Sequence, residues 1–250
     1  MNKVALITGG ANGLGASITE EFAKNNYDVI INYNNSHDKA KMLKEYLEKT
    51  YNVTVLVIKC DVSDEKEVIN MKNIIIKEFS KVDVLVNNAA VEIVSDVKDK
   101  NYDSFKKVFD VNVIGTFLVS KYIGNIMYEN KHGKIINISS NNAIDKYDPQ
   151  TMEYDASKSA IISLTHNFAK EYAPYINVNA IAPGWILTDK VKELDEELSG
   201  ELIKSESKKI LLNRFASCED ISKVVVFLAS DDANYINSTV IKIDGGAKWN

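Results

Sequence analysis

The stretch Val4-Ala5-Leu6-Ile7-Thr8-Gly9-Gly10-Ala11-Asn12-Gly13-Leu14-Gly15 decides how the rest of the chain is read. An apolar run of strand length gives way to a glycine-rich turn, which leads into the helix-like segment Leu14–Asn25. Glycines at 9, 13 and 15 let the backbone approach a pyrophosphate, and the N-terminus of the following helix supplies partial positive charge. The spacing is Gly-x-x-x-Gly-x-Gly, not the Gly-x-Gly-x-x-Gly of the commonest dinucleotide fingerprint. A plain flexible turn is the alternative. Its position after the first strand of an alternating chain favours the phosphate reading.

The alternation runs to the end of the sequence. Strands are expected at Lys3–Thr8, Tyr27–Tyr33, Val53–Lys59, Val82–Val86, Lys134–Ser139, Ile176–Ile181 and Thr239–Ile243. Helices are expected at Leu14–Asn25, Ser36–Tyr51, Asp64–Phe79 (with Ser63 as its N-cap), Tyr102–Asn130, Met152–Tyr172 and Asp220–Ala229. The strands are near-continuous apolar runs, the mark of strands buried on both faces of a parallel sheet. The fold class is therefore α/β, a doubly wound parallel sheet of about seven strands flanked by helices. With 250 residues, 45% of them hydrophobic, the chain reads as one domain over 1–250. The charged segment Trp185–Leu212 is expected to form a small helical lid over a substrate.

The net charge of −5 leaves no basic surplus for phosphates, which argues against nucleic acid as a partner. Cys60 and Cys218 share no metal or redox spacing and read as free thiols in a reducing compartment. No leader-like or transmembrane-length apolar run is seen, so a cytoplasmic location is expected and a membrane is not. His37, His132 and His166 have no metal-ligand spacing.

Chemistry is suggested by Tyr154-Asp155-Ala156-Ser157-Lys158. Tyr154 and Lys158 fall one helical turn apart on one face. A phenol with a pKa of about 10 is a poor proton donor and acceptor near neutrality. An adjacent ammonium would lower that value and fit the pair for an alcohol–carbonyl conversion. A half-exposed helix face is the bland alternative.

Together with the other motifs, these residues resemble the short-chain dehydrogenase/reductase family over essentially the whole chain. Thr8–Gly15, with Gly9, Asn12, Gly13, Leu14 and Gly15, matches its cofactor turn. Asp61-Val62 looks like the pair that contacts the adenine ring, and Asn87-Asn88-Ala89-Ala90 is similar to the family's Asn-Asn-Ala-Gly. Asn112 matches the helix asparagine of a proton relay, Ser140 the catalytic serine, and Tyr154 and Lys158 the Tyr-x-x-x-Lys pair. Pro183, Gly184, Ile186 and Thr188 look like the segment that holds the nicotinamide carboxamide. Asp244-Gly245-Gly246 resembles the C-terminal tripeptide.

The resemblance implies a Rossmann-type domain and an NAD(P)(H)-dependent oxidoreductase acting on CH–OH. Tyr154 would donate the proton and Lys158 would tune it and bind the nicotinamide ribose. Ser140 would orient the carbonyl, and Asn112 would anchor a water. Three departures stand out. Ala90 replaces a glycine and would be strained at a positive φ. Ser140 precedes Tyr154 by fourteen residues, one more than is commonest, with the extra residue placed in the loop Asn141–Thr151. Ser139 is the alternative catalytic serine, since adjacent strand residues face opposite ways. No acid follows the second strand at Asn32-Tyr33-Asn34 to bind a ribose 2′-hydroxyl, and no arginine is there either. NADP(H) is expected ahead of NAD(H), while His37, Lys39 and Lys41 read as a solvated helix face.

Within the family the sequence is similar to 3-oxoacyl-carrier-protein reductases, which implies an acyl-thioester substrate and acyl carrier protein as a partner. Two features oppose this. Val91-Glu92-Ile93-Val94 stands where that group usually carries Ile-Thr-Arg-Asp, and Ala173-Pro174-Tyr175-Ile176-Asn177 is one residue short and lacks the basic residue often found there, which leaves Lys131, His132 and Lys134 for cationic docking. A sugar or polyol dehydrogenase, or a general carbonyl reductase, is the alternative. A dinucleotide-binding regulator without catalysis is the alternative from another class. Family members usually form tetramers through the long helices, so a homotetramer is expected.

Overall fold

The computed structural model describes residues 2–247. The helices and strands alternate: β1 (Val4–Ile7), α1 (Gly13–Lys24), β2 (Asp28–Tyr33), α2 (His37–Tyr51), β3 (Val55–Lys59), α3 (Glu65–Phe79) and β4 (Val84–Asn87). They continue with α4 (Tyr102–Phe109), α5 (Thr116–Glu129), β5 (Gly133–Ile138), α6 (Met152–Glu171) and β6 (Ile176–Pro183). The chain closes with α7 (Asp189–Glu197), α8 (Glu201–Ser207), α9 (Cys218–Ala229) and β7 (Val240–Ile243). All seven strands are parallel, in the order β3-β2-β1-β4-β5-β6-β7. The order reverses direction between β1 and β4, which makes the crevice at their carboxyl ends the natural ligand site.

The apolar runs explain the layers. In β4, Val84 and Val86 pack into one core with Phe22 of α1 and Val225 of α9. Leu85, between them, packs into the other with Met71 of α3 and with Ile123 and Met127 of α5. Side chains alternate along a strand, so a sheet covered on both faces needs apolar residues at every position. No helix among the described residues is long and apolar enough to cross a membrane.

Local chemistry corrects three expectations. Asp64, not Ser63, caps α3; its carboxylate accepts from the amides of Lys66 and Glu67 at 2.8 and 3.2 Å. The segment Tyr102–Asn130 is not one regular helix, because a π turn over Asp110–Gly115 separates α4 from α5. Gly115 closes that turn against Val62: a Cβ there would lie 2.6 Å from Val62 Cγ2. The charged 185–212 segment resolves into the two short helices α7 and α8, joined through Ser199 and Gly200 in left-handed conformation.

Leu85 is fully buried at the centre of the sheet. Leu85→Ala should lower the unfolding free energy by about 2–5 kcal/mol, the cost of lost burial plus a residual cavity. Guanidinium titration should show an earlier midpoint with an unchanged slope.

Candidate active site

The glycine turn is built by close contact. Gly9 adopts φ +61°, and a Cβ on Gly15 would fall 2.2 Å from the Gly9 carbonyl oxygen, so no other residue fits there. Asn88 holds the turn from the side. Its Nδ2 donates to the carbonyls of Thr8 and Gly9 at 2.9 and 3.2 Å, and its amide donates to Thr8 Oγ1. Asn87 points the other way and donates to Ser120 Oγ and Asn137 Oδ1, both at 2.8 Å, inside the sheet. The N-terminus of α1 has no side-chain cap and no acid in its first turn. By contrast, α3 begins with Glu65 and Glu67 behind its Asp64 cap. Only the first of these ends is arranged to receive an anion.

A cavity of about 380 Å³ lies against this helix end. Gly9, Asn12, Leu14, Gly15, Asn34, Asp61, Val62, Asn88, Ala89 and Ala90, which the sequence reading assigned to a cofactor, all line it. Asn35, Ser36, Cys60 and Val111 line it too and were missed. Ser36 carried a local signal: it follows β2 and accepts from Asn12 Nδ2 at 2.5 Å. Ala90 is not left-handed, so the backbone tolerates the alanine. Asp61 accepts from the amide and hydroxyl of Ser63 at 2.9 and 2.6 Å and from Asn34 Nδ2 at 3.1 Å. Burial works against its charge, but these hydrogen bonds win and hold the carboxyl below its usual range. Cys60 is buried at the floor, where burial pushes its thiol up to about 12 and leaves it inert. Gly13, Tyr154, Lys158, Pro183, Gly184, Ile186 and Thr188 lie outside this lining. Thr188 stands against the turn, with its Cγ2 3.7 Å from where a Gly13 Cβ would be.

These residues suit a dinucleotide. A backbone cradle at an uncapped helix end matches a diphosphate, and a carboxylate held ionised beside Val62 matches an adenine edge. The amides and hydroxyl of Asn34, Asn35 and Ser36 bring no charge to repel a 2′-phosphate.

A second cavity, of about 1200 Å³, opens under α7 and α8. Ala90 and Val91 border the smaller cavity and Glu92 the larger, so this short segment divides the two. Trp185 lines the larger one and stacks on buried Phe215 with ring centroids 5.3 Å apart, so Trp185 faces the cavity and Phe215 is packing.

Tyr154 and Lys158 come from the first turns of α6, and Ser140 follows β5. The Ser140 hydroxyl hydrogen-bonds to the Tyr154 phenol and accepts from the Asn142 amide at 3.2 Å. Ser139 is turned away: its hydroxyl donates to the Lys158 carbonyl at 2.9 Å, which removes it as the alternative. Lys158 is buried; its Nζ donates to the Ile138 carbonyl at 2.8 Å and lies 5.4 Å from the Tyr154 ring centroid. Burial lowers its pKa to about 8, while the nearby charge of Glu92 opposes the shift. Lys158 does not pull the phenol down here. Burial first, then the Glu92 carboxylate, push Tyr154 well above its ordinary value, with the Ser140 hydrogen bond opposing them.

Asn112 sits in the π turn and reaches the Tyr154 backbone through one intermediary. Its Oδ1 accepts from the Val91 amide at 2.8 Å, and its Nδ2 donates to the Val91 carbonyl at 3.0 Å and to Ser157 Oγ at 2.9 Å. Ser157 Oγ in turn donates to the Tyr154 carbonyl at 2.7 Å. Both amide hydrogens of Asn112 are thereby committed to protein. Asp155 sews the long 141–151 loop to the helix. It accepts from Asn142 Nδ2 at 2.7 Å, Thr151 Oγ1 at 3.0 Å and the Asp148 amide at 3.0 Å. Glu153, fully buried, forms an ion pair with Lys100 at 2.6 Å. Neither Asp155 nor Glu153 was singled out from sequence, where each is only an acid in a helical first turn.

The cationic patch expected at Lys131, His132 and Lys134 does not form a docking surface. Lys134 is buried and donates to Asn177 Oδ1 and Asn234 Oδ1 at 3.0 and 2.7 Å. His132 lies 4.0 Å from Asp83, and all three residues are at the amino end of β5, opposite the cavities. His37 pairs with the Tyr33 hydroxyl at 2.7 Å and His166 with Ser238 at 2.9 Å.

Comparison with known proteins agrees with this geometry. A family model described as Enoyl-(Acyl carrier protein) reductase matches residues 9–248. The 3-oxoacyl-[acyl-carrier-protein] reductase FabG of Staphylococcus epidermidis is 36% identical over 250 residues, covering 98% of this chain and 99% of its own. A structure described as ElxO with NADP bound superposes with a TM-score of 0.91 at 34% identity, covering 98% of each chain. The crystal structure of levodione reductase gives 0.89 at 32% identity, covering 98% of this chain and 96% of its own.

The lowered pKa of Lys158 makes a stability test possible. Unfolded, the lysine keeps its proton to about pH 10.4. Folded, it loses it near 8. Between those values the unfolded chain binds more protons, so this residue's contribution to stability rises with pH; below 8 both states are charged and the full burial penalty is present. Relative to Lys158→Met, the wild-type unfolding free energy should rise by about 2 kcal/mol from pH 8 to pH 10. Denaturant titrations of both proteins at each pH would show it.

Proposed function

Because the chain belongs to the short-chain dehydrogenase/reductase family, we propose that it reduces a ketone to a secondary alcohol using NADP(H) in preference to NAD(H). The observation that carries this reading is the arrangement of Ser140, Tyr154 and buried Lys158 beside a helix end cleared of acids. Gly9, Asn12, Leu14, Gly15, Asp61 and Asn88 would hold the dinucleotide, with Gly13, Pro183, Gly184, Ile186 and Thr188 continuing its path from the turn. Asn34, Asn35 and Ser36 would accept the adenosine 2′-phosphate. When bound, the nicotinamide supplies the hydride.

The chain's own residues handle the oxygen and the proton. Ser140 donates a hydrogen bond to the substrate carbonyl and steadies the charge that develops on its oxygen. Tyr154 gives its hydroxyl proton to that oxygen as the C–O bond becomes an alcohol. Its raised pKa keeps it protonated at neutral pH, the form reduction requires. Lys158, whose ammonium lies 5.4 Å from the Tyr154 ring centroid, would contact the nicotinamide ribose. Asn112 fixes the turn of α6 that carries Tyr154 and Lys158.

The substrate reading we favour is a 3-oxoacyl thioester, supported by the 36% identical reductase and by a cavity of about 1200 Å³. A small free ketone is the second reading. It is favoured by the loss of the Lys131–Lys134 docking patch and by the likeness to levodione reductase. The two unpaired cysteines suit work in the cytoplasm.

We also propose a homotetramer. Phe105 and Phe109 stack on α4 beside exposed Tyr102, and Ile114 and Phe117 are exposed on the same helical run, an apolar surface suited to self-association. Light scattering at micromolar concentration should give four times the 27.9 kDa chain mass; a monomer would count against it. For the chemistry, Tyr154→Phe should lose turnover by a factor of ~100 or more, as expected when an acid catalyst is removed. It should still quench and shift NADPH fluorescence as wild type does, and NADPH should bind more tightly than NADH. Turnover near wild type would remove Tyr154 from the mechanism.

A further inference from the structure

Glu92 has so far been given no task. Its backbone is fixed, since the preceding residue Val91 is clasped at both amide and carbonyl by Asn112, at 2.8 and 3.0 Å. Its side chain lines the larger cavity, and its Oε2 lies 3.7 Å from Lys190 Nζ on α7. Lys190 is 76% exposed at its side chain, so water screens the pair and the lysine only partly offsets the carboxylate. The charge of Glu92 is felt by both Tyr154 and Lys158.

Other charges border the same space, but most are answered close by. Asp145 pairs with Lys242 at 2.6 Å, and Glu206 pairs with Lys209 at 2.5 Å. Asp148 accepts from the Gln150 amide at 2.9 Å. Lys146 lies over the Trp185 ring at 4.7 Å, and Lys208 stands on the cavity wall. On α6 itself, Asp155 is enclosed by Asn142, Thr151 and Asp148. Glu92 is thus the carboxylate placed between the substrate space and the proton-handling pair.

We propose that Glu92 is a specificity-determining residue, which makes the site accept ketones that are uncharged beside the carbonyl and reject those that carry a carboxylate there. The inference rests on the carbonyl-reductase reading above. A ketone seated on Ser140 and Tyr154 with an adjacent carboxylate would bring a second anion against Glu92 in a space partly closed to water. Like charges there repel more strongly than in bulk solvent. A thioester, an ester or a hydroxyketone carries no such charge, and a hydroxyl could donate to the Glu92 carboxylate.

The test compares ethyl acetoacetate with acetoacetate, which share the reacting ketone and differ in charge. Wild type should show a higher kcat/KM for the ester. Glu92→Gln should narrow that preference by roughly tenfold, the size expected for one charge pair at partly screened short range. Its effect should fall on acetoacetate, and its pH profile should shift to lower pH, because a charge that disfavoured deprotonation is gone. Lys190→Ala should widen the preference instead, a response that a merely structural role for Glu92 would not produce. Reduction of both compounds with the same ratio in wild type and Glu92→Gln overturns this inference alone. No reduction of any ketone by wild type, with NADPH or NADH, overturns the oxidoreductase reading and this inference with it.

Discussion

One buried carboxamide joins the parts from which the site is assembled. Asn112 is almost completely enclosed and touches three elements: the segment after β4 through Val91, α6 through Ser157, and its own helix through the Thr116 hydroxyl, which donates to the Asn112 carbonyl at 2.8 Å. A buried amide with this many partners is worth more than separate pairs, because each bond holds the next in line. It can sit there only because the helix widens into a π turn, which carries residue 112 inward and leaves Gly115 free to touch Val62. The wall between the two cavities, the placement of Tyr154 and the floor of the smaller cavity all follow from that one local irregularity.

Electrostatics then separates two environments a few residues apart. The start of α1 is left without acids, while Asp61 is kept ionised by Ser63 and Asn34. Deeper in, Tyr154 is held protonated and Lys158 is drawn towards neutrality by the same burial. The opposite directions come from one cause, since burial disfavours whichever form is charged. A phenol held protonated and an amine of reduced basicity therefore stand side by side.

Much of this could be read before any coordinates. The apolar runs gave the parallel sheet, because burial on both faces leaves its trace at every strand position. The glycine turn was legible because close approach and positive φ admit few residues. The shared helix face of Tyr154 and Lys158 was legible through spacing, while Ser140 was singled out only through the family resemblance. What escaped depended on contacts between distant segments. Nothing local in Asp110–Gly115 announces a π turn, and nothing in Lys134 shows that it is enclosed by Asn177 and Asn234. The effect of Lys158 on Tyr154 was read from helical spacing alone. Spacing says that two side chains share a face but not which carbonyl the amine will choose, and here it chose Ile138.

The ion pair of Lys100 and Glu153 constrains how this lineage can drift. Glu153 is fully buried and directly precedes the tyrosine, and the Lys100 side chain is 6% exposed. Losing either one would strand the other's charge at a cost of about 3–5 kcal/mol, whereas replacing both with well-packed apolar side chains is often neutral or favourable. Change at position 100 or 153 alone is therefore costly, while a paired exchange for apolar side chains is not.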